Sequence, residues 1–171
     1  TQVKKDFLRA RLIDILDSSP HRVIPPCSIY GLCGGCQYQH IDDMHQLKMK
    51  ERQVQEIFQR IGHFDEIPMR PILGSRSGWA YRTRVDFHVR LIDNELKIGF
   101  VGKDSRTIVE VDQCPISTSG INQSLRELRD LMHSGKVQIP GWVRNFKFWD
   151  AIDGVQYILM NSRGDIDLQG I

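Results

Sequence analysis

Residues 79–92, WAYRTRVDFHVRLI, alternate between two faces with the two-residue period of a half-buried strand. Tyr81, Thr83, Val85, Phe87, Val89 and Leu91 fall on one face, read as core; Arg82, Arg84, Asp86, His88 and Arg90 fall on the other. Asp93-Asn94 is a turn signal before a second strand, Leu96 to Val101, and Thr107 to Val111 reads as a third, which predicts an antiparallel meander. A C-terminal hairpin is predicted from Val143 to Ala151 and Val155 to Met160, turned at Asp153-Gly154. Two segments switch to helical spacing. Met44, Leu47, Val54, Ile57, Phe58 and Ile61 follow a cap at Asp42 or Asp43 and precede Gly62, while Ile121, Leu125, Leu128, Leu131 and Met132 follow a cap at Ser117 or Ser119 and stop near Gly135. The fold class read from this pattern is α+β: an antiparallel sheet, two main helices and a cysteine-rich loop that binds metal. Phe7, Leu8, Leu12, Ile13, Ile15 and Leu16 fit a helix and a strand equally, so residues 1–17 are read only as an N-terminal arm. Ser18-Ser19-Pro20 and Pro25-Pro26 exclude regular helix ahead of Cys27.

With 171 residues, 40% hydrophobic and 26% charged, the chain is large enough for one domain with appended arms and can bury a core, which excludes wholesale disorder. No run approaches the roughly 18 apolar residues of a membrane span, and TQVKKDFLRA lacks the apolar stretch of a secretory signal, so the expected location is the cytoplasm and no membrane partner is expected. A net charge of +2 does not identify a nucleic-acid binder. Its distribution says more: residues 44–90 carry nine bases against five acids, whereas residues 1–43 are balanced and residues 91–171 carry nine against eleven.

Four cysteines in such a chain are too sparse for a disulfide scaffold. Cys27, Cys33 and Cys36 form C-x5-C-x2-C laced with Gly31, Gly34 and Gly35, and glycines let a short loop turn several thiolates toward one point. Three ligands need a fourth, and the only other cysteine is Cys114, 78 residues after Cys36 and followed by Pro115. Structural zinc more often uses paired C-x2-C knuckles, whereas a clustered triplet plus a remote Cys-Pro resembles cubane ligation, so a 4Fe-4S cluster is favoured over zinc. The plainer reading, four unrelated buried thiols, fits a glycine-laced cluster poorly. His40 and His45 lie near enough in sequence to be weighed as ligands, and surface or core roles are the better reading for each.

The segment from Pro26-Cys27 through Tyr30-Gly31-Leu32-Cys33-Gly34-Gly35-Cys36-Gln37-Tyr38-Gln39-His40, with Gln46-Leu47 and Lys50 after it, resembles the cluster motif of the RumA-like RNA (uracil-5-)-methyltransferases. Tyr81-Arg82-Thr83-Arg84 is similar to that family's YRNR segment, and Gly99-Phe100, Ser105 and Asp112-Gln113-Cys114-Pro115 follow in the same order. The resemblance covers about residues 8–160. It implies that residues 18–161 are a central domain, bearing the cluster and gripping RNA, between an N-terminal TRAM barrel and a C-terminal Rossmann-like methyltransferase domain. Residues 3–16 would then be the last strand of the barrel and residues 162–171 the start of the linker to the catalytic domain. The chain has no glycine-rich turn for S-adenosylmethionine, no Asp-Pro-Pro-Arg segment and no cysteine beyond the four ligands to act as nucleophile. It is expected not to methylate alone, and its lack of an initiator Met suggests a piece of a longer enzyme.

Arg82, Arg84 and Arg90 alternate along one strand face with cations about 7 Å apart, near the phosphate repeat of a nucleic-acid strand. His88 could stack on a base or meet a phosphate, and Lys48, Lys50 and Arg52 add charge on the helix after the cysteine loop. A solvated charged face would give the same row. Trp79, Trp142 and Trp149 read as core or hairpin packing rather than base platforms. The expected partner is RNA, with 23S ribosomal RNA favoured because the transfer-RNA branch of the family generally lacks the cysteine cluster. The competing expectation is a zinc-bound, non-catalytic adaptor for RNA or protein.

Overall fold

The computed structural model describes every residue except 1, 4, 6, 94 and 163–171. The elements among these residues are β1 (Gln2–Val3), β2 (Leu8–Arg9), α1 (Asp43–Arg60), β3 (Arg84–Ile92), β4 (Glu95–Val101), β5 (Ile108–Glu110), α2 (Ser119–His133), β6 (Val143–Asp150) and β7 (Gln156–Ser162). The last five strands form one antiparallel sheet in the order β5-β4-β3-β6-β7, so the meander and the C-terminal hairpin join through β3 and β6. The α+β reading holds. Asn94, half of the predicted turn, and most of the expected linker lie outside the described residues. In the arm, β1 and β2 pair with each other, and residues 10–15 have no regular structure.

The core lies on one face of the sheet. Val85, Phe87 and Val89 of β3 pack with Ile98, Phe146, Phe148 and the α2 residues Ile121 and Leu125. The predicted core face of the first strand is therefore too long: Tyr81, Thr83 and Leu91 are exposed, and the strand begins at Arg84 rather than 79. The cause is a competing backbone partner. Ala80 N–H donates to the Pro115 carbonyl and Arg82 N–H to the Ile116 carbonyl, so this stretch follows the loop after Cys114 and joins the sheet only afterwards. That loop also moves the α2 cap from the expected serines to Thr118, whose side chain accepts from Ile121 N–H, while Ser117 is buried beside Arg82.

Asp42 is the cap of α1 and accepts from His45 N–H at 2.8 Å. That N–H, together with His21 Nδ1 at 3.0 Å, holds the carboxyl below its ordinary value. A lowered aspartate contributes stability above its ordinary value of 3.8 and loses it as pH falls through the lower value of the fold. The melting-temperature gap between the parent and Asp42→Ala should therefore be widest above pH 3.8 and narrow below it. A gap independent of pH would remove the charge from this account.

Candidate nucleic-acid interface and cysteine centre

The face of β3 opposite the core meets the cysteine loop. Gly34 N–H donates to the Val101 carbonyl at 3.0 Å, Lys103 N–H to the Leu32 carbonyl at 2.9 Å, and Cys33 bridges Gly102. Gly34 permits this approach, since a Cβ there would lie 3.2 Å from the Val101 oxygen, and Gly31 takes the left-handed turn at φ +92°. Between loop and sheet lies a groove of about 450 Å³ whose wall includes Cys33, Gly35, Arg82, Arg84, Asp86 and His88.

Three of the residues singled out on the strand thus share one groove with the cysteine loop. Arg84 sits over the Trp149 ring at 4.6 Å, an attraction that orients its guanidinium without neutralising it. Trp149 is its cross-strand partner on β6 and also contacts Tyr157 at 5.7 Å, the hairpin role read for it. Arg90 does not reach the groove wall; it donates to the Arg106 carbonyl. Lys48 and Arg52 are exposed on α1 outside this groove, with Arg52 paired to Glu56 at 2.7 Å. Lys50 instead lines a second cleft with Tyr38, Trp79 and Tyr81, and this cleft shares Gly35 and Arg82 with the first. Trp142 packs against the core.

Cys27, Cys33 and Cys36 lie on the loop, half-buried, and Cys114 is buried. The loop is held by Tyr30 N–H on the Cys27 carbonyl and Cys33 N–H on the Ile29 carbonyl, while Gly35 N–H donates to Cys33 Sγ at 3.3 Å. Burial pushes the Cys27 and Cys33 thiols above their ordinary value; Cys114 and Cys36 add to this at Cys27, as do Cys36, Cys114 and Cys27 at Cys33. The remote cysteine is thus near enough to raise both of these thiols. Among the described residues no group of three or more His, Cys, Asp or Glu side chains is arranged to hold a metal ion. As a donor set, four thiols with an N–H already aimed at one sulfur suit a thiolate-ligated centre. His40 meets the Tyr30 hydroxyl at 2.6 Å and His45 stacks on His21 at 3.9 Å.

Sequence reasoning missed Asn122. Its Oδ1 accepts from Cys114 N–H at 2.8 Å and its Nδ2 donates to the Cys114 carbonyl at 3.1 Å, so one side chain clamps both backbone polar groups of the residue carrying the fourth thiol. Its position on the polar side of α2 gave no signal.

No family profile matches the chain. Among curated proteins it is 36% identical over 141 residues to an uncharacterized RNA methyltransferase of Gloeobacter violaceus, with 82% of this chain and 30% of that protein covered. It is 33% identical over 130 residues to one of Halalkalibacterium halodurans, covering 76% and 28%, and 35% identical over 139 residues to one of Staphylococcus aureus, covering 81% and 31%. The chain thus spans under a third of the length of these relatives. The crystal structure of Pyrococcus abyssi tRNA (uracil-54, C5)-methyltransferase in complex with S-adenosyl-L-homocysteine superposes with a TM-score of 0.62, covering 90% of this chain and 35% of that one, at 21% identity. That likeness bears on the fold.

Proposed function

Because the chain belongs to the RNA methyltransferase family, as a segment of under a third of its relatives' length, we propose that it is the RNA-gripping, cluster-bearing central domain of an S-adenosylmethionine-dependent RNA (uracil-5-)-methyltransferase. In this reading the S-adenosylmethionine site and the nucleophilic cysteine belong to a catalytic domain outside the chain. There the cysteine would add to uracil C6, C5 would take the methyl group of S-adenosylmethionine with release of S-adenosylhomocysteine, and removal of the C5 proton by a base would expel the cysteine from C6. Cys27, Cys33, Cys36 and Cys114 hold a 4Fe-4S cluster, which ties the loop to the segment after β5. The substrate is 23S ribosomal RNA, favoured by the four-cysteine pattern. No helix among the described residues is long and apolar enough to cross a membrane.

The observation that carries this reading is the single groove in which Arg82, Arg84 and His88 face the cysteine loop. Clustered cations with an aromatic partner suit a phosphate backbone, and the guanidinium of Arg84 is positioned before RNA arrives. The test is RNA affinity of the full-length enzyme with Arg82→Ala and Arg84→Ala together, across a salt series. Affinity should fall at low salt and the salt slope should flatten by about 1–2, because each lost phosphate contact no longer releases a counterion. Melting temperature should move little, both side chains being exposed. Unchanged low-salt affinity would take these arginines off the interface.

A further inference from the structure

The second cleft, about 760 Å³ between the cysteine loop, α1 and residues 74–82, shares Arg82 with the backbone grip described above and is otherwise not used by it. Its volume lies within the range of small-molecule sites, about 300–1,000 Å³. Tyr38, Trp79 and Tyr81 line it, with Tyr81 58% exposed. Its charged lining residues are Lys50, Arg82 and Asp43. Two cations against one carboxylate leave a single positive charge, which suits one phosphodiester better than a long polyanion. Gln39 is a further and independent sign: it lines the cleft, is only 8% exposed, and its Oε1 is buried with no hydrogen-bond partner. A buried acceptor without a donor destabilises a fold, and such groups call for an explanation.

Resting on the RNA reading above, we propose that this cleft takes one unpaired nucleotide of the strand gripped by Arg82 and Arg84. Its base stacks on Tyr81 and gives an N–H to Gln39 Oε1, which is covered in this conformation and turns outward to meet it. The grooves are joined at Arg82 and Gly35, which line both, so a strand whose phosphates track the basic groove delivers its next nucleotide here. Aromatic rings accept any base face, whereas an amide oxygen accepts only where the base presents a donor. Stacking thus provides binding, and Gln39 makes it selective.

The experiment uses the full chain and single-stranded RNA octamers with one abasic position scanned along them, read by fluorescence anisotropy. One abasic position should weaken binding by about tenfold, and Tyr81→Leu should remove that penalty. Gln39→Met should level the affinities of the four bases at that position while keeping or raising the melting temperature, since the orphaned oxygen is gone. A residue serving only the fold would lower the melting temperature and leave base preference intact. A flat abasic scan, which needs no variant, would overturn the proposal even should Tyr81→Leu fold poorly. If Arg82→Ala and Arg84→Ala weaken binding while the scan is flat, the RNA reading stands and this inference fails; if neither has an effect, the RNA reading itself fails. Protection of Tyr81 from hydroxyl-radical labelling in the full-length enzyme without RNA would show a protein segment in the cleft and also overturn it.

Discussion

Phe87→Ala is expected to destabilise the fold by about 3–5 kcal/mol, a large part of the stability of a typical domain. Phe87 is fully buried at the centre of the sheet. Its ring meets Phe148 of β6 edge-on at 5.2 Å and Phe100 of β4 at 5.0 Å, so it joins both neighbouring strands. Alanine would leave a cavity bounded by strands that cannot close around it without breaking their ladder. Leu91, on the same face by alternation but 64% exposed, is the matched control, and its alanine variant should stay within about 0.5 kcal/mol of the parent. Urea unfolding of both variants measures the difference. Equal losses would mean that alternation alone, and not the packing of β3, sets the core.

The second large effect is expected at the cysteines. Anaerobic reconstitution should give about four irons and four sulfides per chain with visible absorption, and Cys114→Ser should lose the cluster as completely as Cys33→Ser does. Zinc without sulfide would favour the adaptor reading, and retention of the full cluster in Cys114→Ser would separate the fourth thiol from the centre. Asn122→Ala keeps all four thiols but frees the backbone N–H and carbonyl of Cys114. Groups supporting metal ligands change affinity by about 10–100-fold, so this variant should hold iron more weakly in a chelator titration while binding the same number at saturation.

The strand, turn and helix signals of the sequence were enough for the class of fold, because period-two and helical patterns are local consequences of where side chains point. The helix capped by Asp42, the hairpin at Asp153-Gly154 and the alternation of Val85, Phe87 and Val89 were all legible in this way. The cysteine block and YRTR could be picked out too, being runs of contiguous residues, although the strand expected to carry YRTR begins only at Arg84. Amphipathic spacing names a face but not its partner. α1 carries the predicted apolar stripe yet has no buried residue, with Met44, Ile57 and Ile61 at 67%, 55% and 74% exposure. Only tertiary structure decided which basic residues lie together: Arg82, Arg84 and His88 line one groove because the cysteine loop docks at the end of β4, Lys50 lines the adjoining cleft, and Arg90 donates to the Arg106 carbonyl. It also decided that Gln39 is orphaned and that Asn122 clamps Cys114. These are contacts between residues far apart in the chain or between elements, set by how the loop, the sheet and α2 pack, and no periodicity in the sequence encodes them.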